Sequence, residues 1–189
     1  MIYLSALALF FILHVIPFVP NVRSPLVDSL GEKRYKLIFR LCIVGCLLLG
    51  VFGWSRFPNV YFYEPSLTLK QIHLVLMFPV VYLWVLAEIP NNLKRFIRHP
   101  MLTGMKLWAL GHLLANGDLR SMLLFISFLI FSVIAVIASN RRDEHTQQQR
   151  TPFKYDIAVC LIAIGIYCLL VNFHGHLFGM PVTPYFSFL

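Results

Sequence analysis

The sequence predicts an all-α, polytopic membrane helix bundle of about six transmembrane helices. Three observations carry this. Of the 189 residues, 59% are hydrophobic and only 13% are charged, where an ordinary soluble domain has about 25% charged. The mean hydropathy of +0.75 implies more apolar surface than one aqueous core of this size can bury. The apolar residues also gather into runs of roughly 15–22, long enough to cross a hydrocarbon layer of about 30 Å. Together these exclude aqueous enzyme folds, coiled coils and disordered binders. They predict one transmembrane domain over residues 1–189.

The first run, Ile2 to about Val19, has no basic leader region and no small-residue cleavage site, so an uncleaved span is expected. The second, about Leu37 to Phe57, carries Gly45, Gly50 and Gly53. The third, about Leu69 to Ile89, contains Pro79, which a membrane helix tolerates as a kink. The fourth and shortest follows Pro100, a residue suited to the first helical position, and reaches Ala115; a tilted or re-entrant segment competes with a full span there. The fifth runs from about Leu119 to Ala138 after the turn Asn116-Gly117-Asp118, with Asp118 expected as its cap. The sixth covers about Ile157 to Phe173. Between the third and fourth runs, Asn91 to Arg98 (NNLKRFIR) is predicted to form a short interfacial amphipathic helix.

Charge then sets the orientation. Sixteen basic residues stand against eight acidic ones, and they concentrate in alternate gaps. Arg23, Lys33, Arg34, Lys36 and Arg40 follow the first run; Lys94, Arg95 and Arg98 follow the third; Arg141, Arg142, Arg150 and Lys154 follow the fifth. Those gaps belong in the cytoplasm by the positive-inside rule, with both termini on the other side. The same clustering argues against nucleic acid as a partner, since no basic stretch carries a recognition motif. Arg141 to Arg150 (RRDEHTQQQR) is the one soluble-looking linker, and His145 within it is discounted. Cys42, Cys46, Cys160 and Cys168 all sit in apolar runs without metal-binding spacing and are expected to serve as small packing residues.

Ionisable groups at membrane depth are where chemistry is expected. His14 and His112 are the deepest. Each is read either as bonded to a neighbouring helix or as an axial donor to haem iron, for which paired imidazoles on facing helices are the usual arrangement. Gly104 and Gly111 flank His112 at a spacing that admits another helix or a flat cofactor. Depth permits the pair without demanding it: His112 lies about 18 Å along its helix from Pro100, and His14 about 9 Å from Pro20. His73, His112 and His174 share one end of the bundle, which leaves a rival ligand pair open. His99 beside Arg95 and Arg98 reads as an interfacial cap or as a contact for an anionic group. Lys106 is expected to snorkel, Glu88 to pair with Lys94 or Arg95, and His176 to lie near the boundary. No catalytic triad, zincin, P-loop or dinucleotide motif is present.

Arg98 to Leu119 reads RHPMLTGMKLWALGHLLANGDL, and this stretch closely resembles the signature of the NnrU family, multi-pass bacterial inner-membrane proteins associated with denitrification. The resemblance extends to FFILHVIPF around His14, LGEKRYKLIF from Leu30 to Phe39, and FHGHLFGMP from Phe173 to Pro181. NnrU proteins are similar in turn to the plastid 15-cis-zeta-carotene isomerase, a membrane enzyme with haem b held by two histidines. That similarity implies haem b as cofactor, His14 and His112 as its ligands, and His99 as the histidine of the RHP motif. In the isomerase, iron reduction is thought to free one ligand position for rearrangement of a double bond. For this chain the resemblance implies a redox, sensory or isomerase-like role linked to nitrite and nitric oxide metabolism, with the lipid bilayer and components of respiratory or denitrification complexes as partners. Two other readings follow from the same residues. One is a non-catalytic assembly or maturation factor for a respiratory complex. The other rests on the RHP…G…L…G run, which is similar to the core of the isoprenylcysteine carboxyl methyltransferases, although the later part of that family's site has no counterpart here.

Overall fold

In the computed structural model, which describes residues 1–142 and 150–182, the apolar runs become α-helices in the predicted order. They are α1 (Ile2–Val15), α2 (Pro20–Leu30), α3 (Glu32–Trp54), α4 (Leu67–Glu88), α5 (Pro100–Ala115), α6 (Leu119–Arg142) and α7 (Lys154–Phe178). Among the described residues there is no strand, only an isolated bridge between Tyr61 and Asp118. The chain is an all-α membrane protein. The interior of the predicted polar linker, His145 included, lies outside the described residues.

Helices α3, α4, α6 and α7, of 23, 22, 24 and 25 residues, are long and apolar enough to cross a membrane. At 1.5 Å per residue they measure about 33–38 Å. Helix α5 has 16 residues, about 24 Å, so it is shorter than the hydrocarbon layer. The first run departs from a straight span. After Val15 a 3-10 turn covers Ile16–Phe18, and α2 then leaves at 86° to what precedes it. Proline explains the break. The residue before a proline is driven out of the helical region, and Val19 accordingly has φ −111° and ψ 95°, with Pro20 opening the next helix. The basic gap that follows is thus partly helical. Helix α2 ends at Gly31, whose φ of 77° only glycine adopts cheaply, and the chain turns there into α3, which carries Lys33 to Arg40.

Two compact units result, Met1–Val60 and Tyr61–Leu189. In the first, α1 lies against α3 where Gly53 has no side chain. A Cβ there would come within 2.6 Å of the Tyr3 amide nitrogen. The buried Tyr3 ring packs against Trp54 and Phe57 at 5.5 and 5.2 Å. In the second unit, Val81, Val85 and Leu86 of α4 meet Val159 and Ala163 of α7 in a buried seam. The Tyr167 hydroxyl donates to the Leu74 carbonyl at 2.9 Å across that seam, a contact worth about 0.6 kcal/mol within a bilayer. Helix α4 also packs on α5, whose Gly104 lies under the Trp84 indole. A Cβ at Gly104 would sit 2.7 Å from the indole nitrogen.

Several expectations are corrected. The NNLKRFIR segment is not an amphipathic helix but a single 3-10 turn, Leu93–Arg95. Its two asparagines bond elsewhere, as short polar side chains do when they compete with helical bonding. The Asn91 amide donates to the Leu86 and Ile89 carbonyls at 3.0 and 2.6 Å, ending α4. Asn92 donates through its backbone and its amide to the two Asp156 oxygens at 2.8 and 2.6 Å, so the end of α4 is clasped to the start of α7. Glu88 forms no ion pair among the described residues, because the Lys94 ammonium goes instead to the Ala87 carbonyl at 2.6 Å. A helix C-terminus attracts a cation in that way. Of the four cysteines only Cys46 is buried; the others lie on outward helix faces, where a thiol is compatible with lipid. The Asp118 cap is present, accepting from the Ser121 amide at 3.1 Å.

Replacing Gly104 by leucine is expected to destabilise the second unit by about 1–3 kcal/mol through overpacking. Gly45→Ala, which meets nothing within 4 Å, is expected to leave stability unchanged within about 0.5 kcal/mol. Unfolding of both variants in detergent micelles checks this, and equal losses would contradict the packing described.

Candidate functional site

The chemistry-bearing residues of the second unit converge where α4, α5 and α6 meet. Within α5, helical geometry stacks His112 over the turn that carries Trp108. The His112 Nδ1 lies 2.9 Å from the Trp108 carbonyl. A carbonyl only accepts, so Nδ1 carries the proton and the neutral ring keeps its lone pair on Nε2. The ring is held from the sides as well. Phe125 of α6 stacks on it at 4.6 Å and 29°, and Trp108 stands 5.0 Å away. Trp108 in turn packs edge-on against Phe125 and Phe128 at 4.9 and 5.4 Å.

His73 of α4 completes the cluster. It is 4% exposed, and its ring centre lies 4.5 Å from that of His112 at 75°. Its Nδ1 is buried against the backbone at Gly111. Gly111 makes the approach feasible: a Cβ there would lie 3.3 Å from His73 Nδ1 and 2.5 Å from Met77 Cε. The bare strip of α5 therefore admits a neighbouring helix at both of its glycines. His174 of α7 is within electrostatic reach of both rings, while its own Nδ1 donates to the Met180 carbonyl at 2.7 Å.

The end of α5 is braced from the connection before α4. The Tyr63 hydroxyl donates to the Leu113 carbonyl and, at 3.2 Å, to that of Asn116. The Phe62 amide donates to the Gly117 carbonyl at 2.8 Å, and any side chain at Gly117 would collide with the Tyr63 carbonyl. Burial raises the Tyr63 phenol above its ordinary range, which keeps it a donor.

His14 belongs to the first unit, where its local arrangement repeats that of His112. Its Nδ1 donates to the Phe10 carbonyl at 2.8 Å, one turn back, and its ring lies against Phe10 at 4.1 Å and Phe39 at 5.8 Å. Both histidines are thus set in the tautomer that offers Nε2, as a metal-ligating imidazole with its other nitrogen on a carbonyl requires. In donor chemistry, each imidazole by itself could serve as a nitrogen ligand of the haem b that the family resemblance implies. The pair His73 and His112 does not fit on opposite faces of a macrocycle. With bonds of about 2.0 Å from metal to nitrogen, such rings would be centred about 6 Å apart, and these are closer.

His99 is the N-cap residue of α5, but its side chain makes no capping bond. Instead Nε2 meets the Asn140 Oδ1 of α6 at 2.8 Å, so its role here is to join two helix ends. Among the described residues no three of histidine, cysteine, aspartate and glutamate form a metal-binding group. Reading the sequence did not single out Met77, Phe125 or Trp108. The available signal was spacing, since Met77 lies one turn after His73 and Trp108 one turn before His112.

A family model described as NnrU protein matches residues 2–182. No curated protein and no solved structure matches the chain.

The tautomers are open to direct measurement. In haem-free protein with 15N-labelled histidine, His14 and His112 are expected to show protonated Nδ1 and unprotonated Nε2 by solid-state NMR in lipid. Signals from the opposite tautomer at either position would remove the carbonyl bonds described.

Proposed function

The chain belongs to the NnrU family, and on that premise we propose that it is a haem-b-binding protein of the bacterial inner membrane, with His14 and His112 as the axial ligands. The observation that carries this reading is the shared geometry of the two imidazoles. Each has Nδ1–H committed to the carbonyl one turn back, which leaves Nε2 as the nitrogen available to a ligand. When bound, haem supplies a one-electron couple whose potential the axial ligands set. The residues of this chain do the rest. The Phe10 and Trp108 carbonyls orient the two rings and strengthen their basicity, and Phe39 and Phe125 pack against them.

In this reading the basic gaps argue for a cytoplasmic Pro100 end of α5, with the Ala115 end and the Leu67 end of α4 on the opposite side. His112 then stands toward the non-cytoplasmic face. Its tie to nitrogen-oxide metabolism, its isomerase-like redox character and its partners among respiratory or denitrification complexes follow from the family resemblance.

The test is one pair of visible spectra, oxidised and reduced, on protein purified from haem-replete membranes. A red, low-spin preparation is expected, and His14→Ala and His112→Ala are each expected to lower haem content roughly tenfold or more. His99→Ala should keep the spectrum, since that ring bonds Asn140. A colourless wild-type preparation overturns the reading.

A further inference from the structure

Helix α3 of the first unit carries two cations on a face that is otherwise apolar. Lys33, Leu37, Arg40, Val44, Leu47 and Val51 follow one another at alternating steps of four and three, so a helix of 3.6 residues per turn stacks them along one side. All six are exposed. On a helix long and apolar enough to cross a membrane, such a side meets lipid. Arg40 is the anomaly there. It stands within the apolar run, one turn past Leu37 and next to the exposed Leu41. Ionisable side chains at such positions usually turn inward and pair. Arg40 faces outward instead, and among the described residues neither it nor Lys33 has an ion pair. One turn to either side of Arg40 lie Lys36, Leu37, Ile43 and Val44, none of them acidic. The one acid of the helix's first turn, Glu32, is taken by Arg23 and Lys36 at 3.1 and 3.0 Å.

We propose that Lys33 and Arg40 hold the headgroup of one anionic phospholipid, whose acyl chains lie along Leu37, Val44, Leu47 and Val51. Helix geometry brings the two cations to one level. Side chains lean toward the N-terminus of their helix, so a long Arg40 side chain runs back toward Lys33 with its stem over apolar surface. The chemistry suits a phosphate, since a guanidinium offers it forked donors and an ammonium adds a point charge. Charge complementarity selects an anionic headgroup over a zwitterionic one, which would bring a cation of its own to the pair. Two plainer explanations do not account for these positions. The positive-inside rule is met by cations anywhere in a gap and requires none inside an apolar run. A cation in the first turn opposes the helix dipole, so Lys33 does nothing for the formation of α3. The inference does not rest on the haem reading.

The test offers the full chain in detergent equal amounts of phosphatidylglycerol and phosphatidylcholine and reads retained lipid by native mass spectrometry. The parent is expected to keep one phosphatidylglycerol per chain in preference to phosphatidylcholine. Lys33→Gln and Arg40→Gln should each lower phosphatidylglycerol retention about fivefold, the worth of one basic residue at an anionic surface, with phosphatidylcholine retention unchanged. Arg40→Lys, which keeps the charge, should recover most of that loss. Arg56→Gln should behave as the parent, because the Arg56 guanidinium is engaged by the Phe52 carbonyl at 2.9 Å; this separates the site from net charge. Both proposed contacts are exposed, so circular dichroism should be the same for every variant. Equal retention of the two lipids by the parent, an Arg40→Gln protein that keeps phosphatidylglycerol as the parent does, or release of the lipid by an equal concentration of inorganic phosphate would each overturn the proposal. So would a parent dimer without lipid preference that Arg40→Gln dissociates, since the cations would then serve an acidic protein surface. The haem reading fails or stands separately, on the colour of the untreated protein and its loss in His14→Ala.

Discussion

The second unit depends on the close approach of α4 to α5, and that approach depends on two residues without side chains. In lipid there is no hydrophobic gain from bringing helices together, so van der Waals fit decides. Gly104 receives the Trp84 indole, and Gly111, two turns on, receives His73 and Met77. A Cβ at Gly104 would press on the Trp84 indole, and one at Gly111 would displace the Met77 methyl end and crowd His73. Shape at two points thus places a polar cluster inside an apolar protein.

The second constraint is that a bilayer offers no water to an unpaired polar group. The structure meets it with local bonds. Ser127 and Ser132 donate back to carbonyls of their own helix at 2.6 and 2.7 Å, and His14 and His112 do likewise. For a serine such a bond only satisfies the hydroxyl. For a histidine it also commits Nδ1, so the choice of tautomer follows from the same local bond. Asn91 satisfies a different need, since it closes the end of α4 where the carbonyls run out of helical partners, while Asn92 ties that end to Asp156 of α7.

Much of this was legible beforehand. Composition and run length gave the helices, and Asn116-Gly117-Asp118 gave the turn and cap before α6, because these signals are local. The boundaries of the first run were not legible as a bend: Pro17 and Pro20 permit either a kink or a break, and only the folded chain shows the 86° departure of α2. The NNLKRFIR segment misled for a related reason. Its periodicity is helical, but two asparagines find stronger bonds on α4 and α7 than a helix there would supply.

What the sequence determined alone is that this protein is built of membrane helices and carries imidazoles at lipid depth, since both follow from residue type and spacing along one chain. Which imidazoles meet was decided only by tertiary structure. His73 and His112 are 39 positions apart on different helices, and no periodicity relates them. Their contact exists because the face of α5 bearing Gly111 turns toward α4, a matter of complementary shape that spacing within either helix does not encode.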